Sequence, residues 1–108
     1  GLPLQNKDVN IYTDYSATTV NSKITDSTSY NNFNLYSHSK LKYKPKAITD
    51  AVFITKGSVF ADYRTVLTTR YLNNLKIFNY PTILYELDPR DTTAQSLIAK
   101  VYLSPRKK

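Results

Sequence analysis

A change of period most constrains how this chain can fold. In "ADYRTVLTTRYLNNLKIFNYPTILYEL", residues 61–87, apolar side chains first recur at helical spacing. Tyr63, Val66, Leu67, Tyr71, Leu75 and Phe78 form one broad face, with Thr65, Thr68, Thr69 and Asn73 mostly off it. Asn79 breaks the helix and Pro81 cannot continue it. Ile83, Tyr85 and Leu87 then alternate as in a strand. A chain that turns from helix to strand in so few residues packs that helix on that strand. Leu75 and Phe78, beside the junction, are the expected anchors.

The flanking sequence supplies the other elements. "KDVNIYTDY", residues 7–15, sets Val9, Ile11 and Thr13 against Asn10, Tyr12 and Asp14, a strand pattern. Residues 16–39 lose the pattern; 14 of these 24 are Ser, Thr or Asn, whose side chains compete for backbone hydrogen bonds and favour turns. This stretch reads as a long polar insertion, either a functional excursion or an inserted hairpin, with "NFNLY" and "KLKYK" as candidate short strands. Residues 17–32 are expected to stay outside the core and to be replaceable at a cost of roughly 1 kcal/mol or less. Pro45 suits a first helical turn, and Ile48, Ala51, Val52 and Thr55 continue it as a helix of about three turns ending near Gly57. Ser58 and Asp62 are candidate caps for the next helix. "DPRDTTA", residues 88–94, is turn chemistry. In "SLIAKVYLS", Leu97, Ala99, Val101 and Leu103 alternate with Ile98, Lys100 and Tyr102 before Pro105. The expected class is α+β, ordered β-α-α-β-β. It is a three-stranded mixed sheet with two helices on one face and the polar insertion, 16–39, after the first strand. Val9, Ile11, Ile83, Tyr85, Ala99, Val101 and Leu103 would meet Ile48, Val52, Leu67, Leu75 and Phe78. The last strand, the more uniformly apolar, is expected at the centre.

Length points to a single domain over 1–108. No methionine occurs and the chain starts at Gly1, so a piece of a longer protein is expected. The absence of cysteine removes disulfides and thiolate metal sites. No run is apolar enough for a transmembrane helix. No catalytic set stands out. His38 sits in a Ser-rich stretch, where an exposed loop histidine is expected, and Asp88 and Asp91 flank a turn. With two glycines there is no phosphate loop. We therefore expect no enzyme, cofactor or metal site. The net charge of +7, with Lys40, Lys42, Lys44 and Lys46 at every second position around Tyr43, suits single-stranded nucleic acid or a solvated lysine edge.

Gly57 with Phe60 shortly after, "LNNLKIF" closing the second helix, the strand after it and the ending "LSPRKK" together resemble a POTRA domain. These domains belong to the BamA-like outer-membrane assembly and surface-antigen family. "YKPKAITDAVFI" and "KDVNIYTDY" are similar to its first helix and first strand; Lys76 stands where the family usually has glycine. The resemblance implies a periplasmic module of an outer-membrane barrel protein. It implies adjacent POTRA domains, a membrane barrel in the parent chain, and unfolded barrel precursors or accessory proteins as partners. The expected partner-binding site is the edge strand Thr82, Ile83, Leu84, Tyr85, Glu86 and Leu87. Pro81 is tolerated at the start of an edge strand, and the resemblance implies strand addition there. Leu84, Ile98 and Tyr102 would give clients an apolar footing, and Lys40, Lys42 and Lys44 are secondary candidates. The alternatives are a nucleic-acid module using the lysines and a passive spacer before a secretion barrel.

Overall fold

The computed structural model describes residues 3–19 and 21–106; Gly1 and the last two lysines of the basic ending, Lys107 and Lys108, lie outside the described residues. The elements are β1 (Gln5–Tyr12), β2 (Asp26–Tyr30), β3 (Phe33–Ser37), α1 (Pro45–Thr49), α2 (Asp62–Asn74), β4 (Thr82–Leu87) and β5 (Ser96–Tyr102). They form a small α+β domain whose mixed sheet runs β2-β3-β1-β5-β4. β1 is parallel to both β3 and β5, and the outer pairs β2–β3 and β4–β5 are antiparallel.

The sheet has five strands rather than three, because the polar insertion contributes two. Asn31 and Asn32, both at positive φ (50° and 67°), make a two-residue turn between Tyr30 and Phe33. Such turns match strand twist, and Asn tolerates the left-handed region better than most residues. The hairpin brings Phe33 and Leu35 into the core and sets Leu35 opposite Ile11 of β1. β1 therefore holds the centre, and β5 lies beside it as an interior strand. "KLKYK" is not a strand. It is an extended segment whose Leu41 and Tyr43 pack against the core while Lys40, Lys42 and Lys44 stay exposed.

One face of the sheet carries Val9, Ile11, Leu35, Ala99, Val101 and Leu103, all buried, under Ile48 and Leu72 of the helices. α1 is shorter than the sequence pattern implies. After Thr49 the α-helical bonding gives way to tighter turns, with the Ala51 N–H on the Ile48 carbonyl and the Val52 N–H on the Thr49 carbonyl, although Ala51, Val52 and Ile54 are still buried. The reason lies on α2. The Phe53 N–H donates to Thr68 Oγ1 (2.9 Å), Thr68 Oγ1 donates to the Arg64 carbonyl (2.7 Å), and Arg64 Nη1 donates to the Phe53 carbonyl (2.9 Å). These bonds turn the expected α2 face away from the core. Thr68 and Leu72 are buried, Leu67 and Leu75 half-buried, and Tyr63, Val66 and Tyr71 exposed. Neither Ser58 nor Asp62 caps α2; its N-cap is Ala61, and Asp62 stands in the first turn, where a negative charge suits the helix dipole.

α2 ends through Lys76, which takes φ 64°, the left-handed stop usually given to glycine. That conformation costs a side-chain-bearing residue about 1–2 kcal/mol, and glycine's freer unfolded chain returns about 0.4–1 kcal/mol of the relief. Lys76→Gly is expected to raise stability by up to about 1 kcal/mol, read as a higher denaturant midpoint with unchanged slope.

Candidate protein-binding edge

β4 forms one border of the sheet. It runs antiparallel to β5, with Thr82 opposite Tyr102, Leu84 opposite Lys100 and Leu87 opposite Leu97. The Asp88 N–H donates to the Ser96 carbonyl at 2.8 Å, and this bond sets the phase of the ladder. In an antiparallel pair, backbone groups point alternately toward and away from the neighbour. Thr82, Leu84 and Glu86 therefore turn theirs to β5, whereas Ile83, Tyr85 and Leu87 turn theirs outward. Among the described residues no strand lies on that side. Pro81 falls in the outward phase, where its missing N–H breaks no bond to β5.

Side chains alternate the other way. Ile83 and Tyr85 are half-buried against the helix side, and Tyr85 OH shares a short hydrogen bond with Thr65 Oγ1 of α2. This bond fixes α2 over the edge strand. Along the same flank of α2, Val66, Thr69, Arg70 and Asn73 line a groove of about 290 Å³ closed by Tyr80. Thr82, Leu84 and Glu86 face the helix-free side and are exposed, as is Leu87 at the strand end. Lys100 Nζ lies 2.8 Å from Glu86 Oε2, and this bond raises the lysine above its ordinary range.

The helix-free side of the sheet carries a row of tyrosines. The Tyr12 ring stacks on Tyr36 of β3 (centroids 5.3 Å apart) and on Tyr102 of β5 (4.9 Å), and Tyr15 tilts against Tyr102 (4.8 Å). Burial raises the pKa of the Tyr12 and Tyr36 phenols, so both stay neutral. Tyr12 has a ring against each face and offers no free face to a nucleobase. Beside the row, Tyr12, Tyr15, Tyr102 and Leu84 line a cleft of about 370 Å³ whose far wall is Ile24 and His38 from the insertion. Of the expected apolar footing, Leu84 and Tyr102 meet here. Ile98 stands further along β5, opposite Glu86.

His38 departs from expectation. Its side chain is 8% exposed, and Nδ1 lies 2.9 Å from Asp14 Oδ1. Asp14 also accepts from Ser37 Oγ (2.8 Å) and the His38 N–H (3.0 Å). Burial alone would raise the Asp14 carboxyl, but the bonds from His38 and Ser37 outweigh it and hold it below its ordinary 3.8. A depressed carboxyl contributes stability above its unfolded pKa and loses it as pH falls through the folded value. Asp14→Asn is expected to lower the thermal midpoint near neutral pH and to flatten its decline in acid. Some decline remains, because Arg90 hydrogen bonds depress the buried Asp88 and Thr93 bonds depress Asp91. Both aspartates serve the turn, as the sequence implies: Asp88 Oδ1 accepts the Arg90 N–H (3.0 Å) and Asp91 Oδ1 the Thr93 N–H (2.9 Å).

The lysines form a separate patch. Lys40 and Lys42 stand near Thr13 and Pro105, away from β4, and Lys46 Nζ pairs with Asp50 at 2.6 Å. Tyr12, Tyr15, Ile24 and His38 are the site residues that sequence reasoning passes over. A usable signal was present: Tyr12, Tyr36 and Tyr102 all fall at outward strand positions, where large aromatics seldom stand without contact.

The whole arrangement has a counterpart among solved structures. It is similar to the N-terminal domain of Omp85 from the thermophilic cyanobacterium Thermosynechococcus elongatus, with a TM-score of 0.65 over 97% of this chain at 10% identity. The chain spans 36% of that structure's length. No protein-family model and no curated protein matches the sequence. The fold is POTRA-like.

Proposed function

We propose that this chain is a periplasmic protein-interaction scaffold of an outer-membrane barrel protein. In this reading residues 1–108 are one POTRA-like domain of a longer chain. Its β4 edge takes up extended segments of unfolded barrel precursors or accessory proteins during outer-membrane assembly. The outward backbone of Ile83, Tyr85 and Leu87, beside which no strand lies among the described residues, carries the reading. Strand addition there gives affinity that depends little on client sequence, and the α2 groove receives alternate side chains. Pairing of this kind needs no cofactor or metal. Among the described residues no helix is long and apolar enough to cross a membrane.

Ordering an extended peptide costs entropy, so binding is expected to be weak, with Kd of roughly micromolar to millimolar. Titration with a barrel-strand peptide, followed by amide shifts, tests this. The expected shifts cluster in residues 82–87 and the facing side of α2 and persist at high salt. Shifts confined to Lys40, Lys42, Lys44 and Lys46, and abolished by salt, overturn it, because exposed charge pairing is screened.

A further inference from the structure

We infer that the β4 edge reads the two faces of an added strand differently, and that the tyrosine cleft on the helix-free side takes an aromatic or large aliphatic side chain of the client. This rests on strand addition at β4. A strand added there must project alternate side chains to opposite faces of the sheet. Those on the helix side reach the groove lined by Val66, Thr69, Arg70, Asn73 and Tyr80, which mixes apolar, polar and positively charged side chains. Those on the other side land next to Thr82 and Leu84, at the mouth of the cleft.

That cleft is apolar where the client would enter. Leu84 is 50% exposed and stands at the edge row itself. Behind it lie Tyr102 and Tyr12, held upright by their stacking, so their edges form a fixed floor. Tyr15 and Ile24 make the walls, and Ile24 is 39% exposed, an aliphatic side chain left over the cleft by the polar insertion. The Asp14–His38 bond holds the imidazole in place at the inner end. Farther along β4 the same face turns polar, with Glu86 bonded to Lys100. The apolar contact is thus restricted to the Thr82–Leu84 half of the strand. The chemistry selects a segment with an aromatic or large aliphatic side chain on the cleft side, while the mixed lining of the α2 groove selects less sharply on the other. A uniformly polar segment would leave the cleft empty.

The probe is an acetylated seven-residue peptide with Phe at two alternating positions among Thr and Ser; its partner has Ala at both. Burying one such ring is expected to make the Phe peptide bind about tenfold tighter. Ile24→Asn, at an exposed wall position, should reduce that preference to about twofold or less. Val66→Asn, in the groove on the helix side, should leave it intact. If both peptides shift residues 82–87 with equal affinity, or Val66→Asn erases the preference while Ile24→Asn spares it, the sided cleft is overturned and strand addition stands. If neither peptide shifts residues 82–87, strand addition and the cleft both fall.

Discussion

Phe78→Ala is expected to lower stability by about 3–5 kcal/mol. Phe78 is fully buried, although it lies four residues past the end of α2. The Tyr43 ring packs against it at 5.0 Å, and Phe78 bridges to Pro105, while Arg106 Nε donates to its carbonyl at 2.8 Å. Its ring thus joins the junction before β4 to the lysine segment and the end of the chain. Little of this can collapse into the space left by Ala, because the Asn79 N–H to Ser104 carbonyl (2.8 Å) and Arg106 N–H to Ile77 carbonyl (3.0 Å) bonds hold the flanking segments together. The loss is a large share of a small domain's stability. Leu75→Ala, at a half-buried site, should cost clearly less. A denaturant midpoint for Phe78→Ala equal to the parent's, with unchanged slope, would show that the junction is not anchored this way.

The second large effect is expected inside the polar insertion. Leu35→Ala should cost about 2–5 kcal/mol, as for a core leucine in any layer. Leu35 is fully buried and stands opposite Ile11 on the central strand. The insertion's exposed part is real: no described residue from 17 to 32 is buried. Yet residues 26–30 are β2, which covers the far edge of β3. Replacing 17–32 with a flexible linker would leave β3 as the border, so the cost should exceed the roughly 1 kcal/mol that loop entropy alone implies. Equal thermal midpoints for Leu35→Ala and the parent would mean that the hairpin does not belong to the core.

The helix–strand junction was legible in outline, as helical spacing, then Pro81, then alternation; the helix itself stops at Asn74 rather than at Asn79, because Lys76 takes the left-handed conformation, and Phe78 is buried from beyond it. Ile83, Tyr85, Ala99, Val101 and Leu103 fall on the helix side as the alternation requires. What was not legible came from interactions distant in sequence. The α2 face was misread because a threonine hydroxyl, satisfied twice over at Thr68, can be buried as cheaply as a methyl-bearing side chain, and Tyr63 and Val66 were left outside in exchange. α1 was read too long because the helical spacing continues through Thr55, while from Phe53 the backbone has turned to bond with α2. The hairpin was half legible: "NFNLY" was a candidate strand and forms most of β3, but β2 was missed because its Ser and Thr weigh toward loop; the local signal was Asn31-Asn32 between alternating runs. In the candidate site, the edge position of β4 could be argued from Pro81. The tyrosine cleft could not, since it joins β1, β4, β5 and the insertion.

The central claim is that the outward backbone of β4 receives a client strand. The most direct measurement is amide hydrogen exchange of the domain with and without a saturating barrel-strand peptide. Exchange slows where an N–H gains a partner. Slowing is expected at Ile83, Tyr85 and Leu87, with little change at Thr82, Leu84 and Glu86, whose N–H groups are already turned to β5. Uniform exchange along β4 with the peptide bound, or slowing confined to the segment around Lys40, Lys42 and Lys44, would contradict the account.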